Sequence, residues 1–152
     1  MPIEEMQQMI DYGVIGLLIF LSFITFAYTI ERLFFYRAVK FELHKYKHKL
    51  ALELDLSKRL PSIASIGSNA PYIGLLGTVI AIILTFYSIG EQEGAINANE
   101  MMKHLALALK ATAGGLVVAI PATVLYNALL TKVDRLLLSW EIMQDEAKST
   151  EN

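Results

Sequence analysis

Residues 69–82 read NAPYIGLLGTVIAI, a stretch that opens with loop-forming residues and closes as an apolar helix. Pro71, Gly74, Gly77 and Thr78 stand where a segment facing lipid on every side would carry leucine or valine. Stepping from Gly74 by threes and fours gives Gly74, Thr78, Ala81, Thr85 and Ser88, all of them small and three of them hydroxylated. Residues at that spacing share one helix face. Leu75, Leu76, Val79, Ile80, Ile82, Ile83 and Phe86 fall elsewhere on the helix. One narrow side is therefore weakly polar and the remainder apolar.

A second face of this kind follows at Ala108, Thr112, Gly115, Ala119, Ala122 and Tyr126. Small residues at helical spacing let membrane helices approach closely. Serine and threonine are tolerated there because they bond back to the preceding turn. The same faces suit a surface turned towards water or a partner chain. Both uses hold together if another chain's helix packs inside a pore.

The surrounding chain sets the scale. Residues 12–30 and 71–90 carry no charge, and residues 105–131 carry only Lys110. Each block is long enough for a membrane span of roughly 20 residues. The chain has 152 residues, and 18% are charged, below the roughly 25% of a soluble domain. Three such blocks leave little for a separate soluble core. The expected fold is all-α: a single membrane domain over 1–152 with three transmembrane helices. The flank MPIEEMQQMID has three acids and no Lys or Arg, unlike the basic start of a signal peptide, so the first block reads as a retained helix.

Lys and Arg are lopsided: none precedes Tyr12, eight lie between residues 31 and 61, and only Lys103 lies in 91–104. Basic loops stay in the cytoplasm. The expected order is 1–11 periplasmic, 12–30 first span, 31–68 cytoplasmic and helical, 69–90 second span, 91–104 periplasmic loop, 105–130 third span and 131–152 cytoplasmic tail. FELHKYKHKLALELDL, residues 41–56, has no Gly or Pro and many good helix formers, which predicts helix until Pro61 breaks it. A return helix should start near Pro61 and run into the second span. The tail keeps a helical stripe of Val133, Leu136, Leu137, Trp140 and Met143, which should pack on the other extensions. Asn97 with Glu100 resembles a capping arrangement and marks the start of the third helix. Pro71 either opens the second membrane helix or kinks a longer one. Pro121, mid-span, deprives the Val117 carbonyl of its donor and bends the third.

Several function classes drop out. The net charge of −2, with no basic patch interleaved with aromatics, argues against nucleic acid. Absent cysteine excludes disulfides and thiolate metal sites. His44 and His48 are four apart but sit among lysines without a third ligand; they read as solvated surface rather than a metal site. No Walker loop, nucleophile elbow or paired carboxylates appear. Neither an enzyme nor a cofactor is expected. No Asp, Glu or His lies inside a span, whereas a proton relay through a membrane normally uses such groups. A proton path through this chain needs an acid from a partner.

APYIGLLGTVIAI (70–82) and ALKATAGGLVVAIPATVLYN (108–127), with Glu31–Arg32 after the first span, resemble the ExbB/TolQ/MotA family of proton-channel subunits, most closely its ExbB branch. The resemblance covers most of the chain, the cytoplasmic parts matching only in kind. It implies a homopentamer in the bacterial inner membrane whose second and third spans line a pore. It further implies that the pore encloses the helices of an ExbD-like single-span partner bearing a membrane aspartate. Proton flow would then energise a TonB-like protein serving outer-membrane transporters. The family's pore threonines fall on Thr78 and Thr112. A TolQ-like role in envelope integrity, or a passive helix-packing scaffold, are the alternatives.

One departure stands out. The family often carries a glutamate five residues before the third-span threonine, and that position is Leu107 here. Lys110, nearby on the helix, has two readings. It extends its ammonium to water at the outer interface, or it faces the assembly and lowers the partner aspartate's pKa. At the other end of the first span, Glu31 and Arg32 form an interfacial pair or a subunit contact; Arg32 with Arg37 could also meet acidic lipid.

Overall fold

The computed structural model describes residues 3–91 and 97–151. Of the expected outer loop, residues 92–96 lie outside the described residues, as do residues 1, 2 and 152 at the termini. Among the described residues four α-helices follow in order: α1 Ile3–Lys40, α2 Lys49–Leu56, α3 Leu60–Glu91 and α4 Ala98–Thr150. A single 3-10 turn, Leu43–Lys45, stands between α1 and α2. Among the described residues there is no strand. α1, α3 and α4 are each long and apolar enough to cross a membrane. The fold is all-α with three candidate spans, as the sequence predicts.

The bundle packs differently at its two ends. At the α2 end the core is built of large residues: Leu52, Leu56 and Ile63 are fully buried with Leu129, beside Tyr36, Val39 and Val133. Leu137, Trp140 and Met143 of the tail pack against this cluster, joining the buried Val133 and Leu136 in one stripe along α4. Towards the far end the contacts shrink to Ala70, Ala119 and Leu18. Small side chains set the spacing of α3 and α4 there.

One expectation fails. Residues 41–56 do not form one helix: α1 ends at Lys40, and regular helix resumes only at Lys49. A helix continuing straight on would carry Leu52 and Leu56 about 18–24 Å past Lys40, away from the core. The reversal instead buries Leu43, Leu52 and Leu56 in one cluster. It is tied by two side chains. Trp140 Nε1 donates to the Tyr46 carbonyl at 3.0 Å, and the Tyr46 hydroxyl donates to Asp55 at 2.9 Å. Burial overrides helix propensity. The break also means that His44 and His48 do not share a helix face; His44 lies in the 3-10 turn and His48 caps α2.

The other landmarks follow the sequence. α3 starts at Leu60, beside Pro61, and runs unbroken through Pro71, which is thus an interior residue rather than a helix start. α4 runs unbroken through Pro121. Asn97 caps α4, its side chain accepting from the Asn99 N–H at 3.1 Å. Arg59, just before α3, holds a positive φ of 71°. Its guanidinium lies 4.8 Å from the Tyr28 ring centroid and 3.6 Å from Glu31. Arg32 is buried, donating to the Asp55 carbonyl at 3.1 Å and to Glu31 at 2.9 Å.

Candidate functional site

α3 and α4 meet along their small faces. A Cβ built on Gly74 would lie 2.5 Å from the Ala111 carbonyl oxygen, and one on Gly115 would lie 2.6 Å from the Ala70 carbonyl oxygen. Both distances are backbone contacts that a side chain cannot occupy. The two glycines therefore set how closely the helices approach. Buried along this seam are Gly74, Thr78, Ala81 and Thr85 of α3 and Ala108, Gly115, Ala119 and Ala122 of α4. The two sequence stripes are thus the two halves of one contact.

Inside the seam sits a hydroxyl pair. Thr78 Oγ1 and Thr112 Oγ1 are 2.5 Å apart. Thr78 is also 3.1 Å from the Ala108 carbonyl across the seam and 3.3 Å from the Gly74 carbonyl on its own helix. Thr78 is 5% exposed, while Thr112 is only partly buried. A hydroxyl has one proton to donate and two lone pairs to accept with, so the pair has two arrangements. Thr112 donates to Thr78, which donates to a carbonyl; or Thr78 donates to Thr112, whose proton then points to an acceptor outside. Thr112 is the member with access to such an acceptor.

The remaining candidates divide. Thr85 bonds back to the Ala81 carbonyl at 2.8 Å, leaving its oxygen lone pairs in the seam. Ser88 is half-buried, one turn further out. Tyr126 is not brought to the hydroxyl pair; it packs on the large-residue core at the α2 end. Lys110 stands two residues before Thr112, about 200° around the helix axis, and is exposed. Its ammonium acts on Asp11 of α1. Burial pushes the Asp11 carboxyl above its ordinary range, and Lys110 opposes that shift. Lys110 thus falls on a different side of α4 from Thr112.

Sequence reasoning missed part of the seam. Ala70 and Ala111 belong to it, and at Gly67 an added Cβ would meet Thr123 Oγ1 at 2.9 Å. Gly77 is the point where three helices meet, its Cβ position lying 3.0 Å from Ala111 Cβ and 3.1 Å from Val14. The signal was present as Gly77 directly before Thr78, but a single stripe drawn through Gly74 steps over it.

This geometry describes a tightly closed, hydroxylated seam inside three apolar helices. The family model for MotA/TolQ/ExbB proton channels matches residues 26–142, which takes in the C-terminal part of α1, all of α2 and α3 and most of α4. The chain belongs to the MotA/TolQ/ExbB proton channel family. It is 54% identical over 147 residues to the biopolymer transport protein ExbB of Aquifex aeolicus, covering 97% of each chain. It is 53% identical over 137 residues to a putative ExbB-like 2 protein of Helicobacter pylori, covering 90% of this chain and 89% of that one. To the Tol-Pal system protein TolQ of Pseudomonas aeruginosa it is 37% identical over 94 residues, or 62% of this chain and 40% of that one. The family resemblance read from the two helix motifs is therefore correct, as is its leaning towards ExbB. A MotA/TolQ/ExbB chain is a channel or transport subunit, and Thr78 and Thr112 lie within the matched residues.

Proposed function

We propose that this chain is the ExbB-type subunit of an inner-membrane motor, and that the Thr78–Thr112 pair forms part of its proton path. The observation that carries this reading is the 2.5 Å hydroxyl contact in a seam whose spans hold no carboxylate or histidine. Such a pair can pass a hydrogen bond outward but cannot by itself take up a proton at neutral pH. The titrating acid comes from a single-span, ExbD-like partner, whose carboxylate approaches Thr112 from the exposed side. Several copies of this chain, five in the ExbB-like arrangement, enclose that partner. The chain catalyses no bond-making step and needs no cofactor.

The remaining assignments follow from this frame. The N-terminus and the 91–104 loop lie in the periplasm, and α2 with the α4 tail lies in the cytoplasm, where the basic residues concentrate. Lys110 works at the outer edge near Asp11 rather than on the partner's acid. Pro71 and Pro121 leave the carbonyls of Gly67 and Val117 without their helical donors, which gives α3 and α4 a fixed curvature. The stored work energises a TonB-like protein and, through it, outer-membrane transport. Near end-to-end coverage of the ExbB relative, against 62% for TolQ, favours this over a Tol-type role. A passive scaffold remains as the alternative drawn from the closed seam itself.

Complementation tests the reading. In cells lacking their own ExbB or TolQ subunit, the chain with its partner should restore uncoupler-sensitive uptake of iron chelates. Restored detergent resistance alone would move the assignment to the Tol system. Assembly with no uncoupler-sensitive output in either strain would leave the scaffold.

A further inference from the structure

A groove of about 380 Å³ runs between α1 and α4 at the α2 end. α1 lines it with Leu33, Tyr36, Arg37 and Lys40, and α4 with Lys132, Arg135, Leu136 and Ser139. Both sets follow the i, i+3, i+4, i+7 spacing, so one continuous face of each helix is presented. Tyr36 and Leu136 are buried and form an apolar floor. Arg37, Lys40, Lys132 and Arg135 are exposed and form cationic walls.

These four cations differ from most of the others at this end; of the rest, only Lys47 on the link and Lys148 near the end of α4 also lack an ion pair among the described residues. Arg32, Lys45, Lys49, Lys58 and Arg59 each pair with a carboxylate. Among the described residues, Arg37, Lys40, Lys132 and Arg135 form no ion pair. The nearest acid in sequence, Asp134, is turned about 200° around α4 from Lys132. Like charges gathered without a counterion repel, and an anion held between them removes that cost.

Depth selects the anion. Arg37 stands seven residues past the charge-free stretch 12–30, or about 10 Å at the helical rise. Lys132 follows directly on the stretch 105–131. The groove thus starts at the hydrocarbon edge, beside Lys132, and reaches outward through the headgroup layer, which adds about 5–8 Å on each side, with Arg37 at its outer boundary. An apolar floor beneath cationic walls suits an amphiphile, and basic pockets between membrane helices on the cytoplasmic side take anionic headgroups. We propose that this groove binds the phosphate headgroup of an anionic phospholipid, with its chain lying towards Leu33. The expected Arg32 contribution to such a site is absent, since Arg32 is buried against Asp55 and Glu31. The proposal does not depend on the proton path.

The test is native mass spectrometry of the full-length chain in its intact assembly. It is titrated with phosphatidylglycerol, with phosphatidylcholine and with glycerol phosphate as a soluble competitor. Phosphatidylglycerol should bind at least about tenfold more tightly than phosphatidylcholine, and glycerol phosphate should not displace it. K132Q/R135Q should weaken phosphatidylglycerol binding roughly 30-fold, and R37Q/K40Q by a similar factor. Either pair suffices if the other fails to fold. K45Q/K58Q removes the same number of charges outside the groove and should leave binding unchanged. Equal binding of phosphatidylcholine, or an equal loss in K45Q/K58Q, overturns the proposal. Displacement by glycerol phosphate overturns the lipid assignment in favour of a soluble phosphate ligand.

Discussion

Gly74 and Gly115 hold α3 and α4 at a distance no other residue permits, since a methyl at either position would strike a backbone carbonyl at 2.5–2.6 Å. Gly115→Ala should therefore destabilise the chain by about 1–3 kcal/mol through overpacking. Gly16→Ala, where nothing lies within 4 Å, should be neutral or slightly stabilising through helix propensity. Unfolding midpoints in detergent compare the two, and equal midpoints would remove the seam's steric basis. Tyr36 gives a second residue-level test. Its buried hydroxyl donates to the Leu56 carbonyl at 2.8 Å. Burial pushes its pKa up to about 12, with Arg32 acting in the opposite direction. Folding thus favours the neutral phenol. That contribution is whole below the unfolded value of about 10 and is lost as pH rises from there to about 12. Tyrosinate absorbance should show a step near pH 12 that Tyr36→Phe removes.

At the scale of elements, the link between α1 and α2 is held mainly from α4. Trp140→Phe removes the bond to the Tyr46 carbonyl and should cost about 1–2 kcal/mol. Amide exchange should quicken over residues 41–48 while the α3–α4 seam keeps its protection. Loss of protection along the whole chain would show that the two ends fold as one unit. The same segment shows where sequence reading stops. Three long helices, the Pro61 start of α3 and the Asn97 cap were legible because hydrophobic blocks and caps are local signals. The tail stripe was legible for the same reason. The reversal at residues 41–48 was not, because it is fixed by Leu52 and Leu56 reaching a core assembled from distant helices. The two small stripes were visible singly. That they face each other, with Thr78 against Thr112, is a pairing that no single-helix periodicity encodes.

The whole molecule leaves two broad apolar surfaces uncovered. Phe20, Phe23 and Phe26 project from α1, where Val117 of α4 lines the same groove as Phe23 and Phe26, and Leu76 and Ile83 project from α3. Exposed apolar area on this scale is covered by lipid or by other chains. In the proposed assembly the α1 surface, with Val117, meets lipid, and the α3 surface and the Thr112 side of α4 meet neighbouring copies and the acidic partner helix. Intact-complex mass after co-purification should therefore give several copies of this chain with a single-span partner, and a monomeric mass would contradict the arrangement. Closest to the central claim is proton flux in liposomes carrying the assembled complex under an imposed potential. Thr78→Ser/Thr112→Ser keeps both hydroxyls and should retain most of the flux. Thr78→Val/Thr112→Val keeps the volume and removes them, and should lower flux by at least about tenfold, more than 1.4 kcal/mol of barrier. Undiminished flux through the valine pair would show that the seam only packs helices.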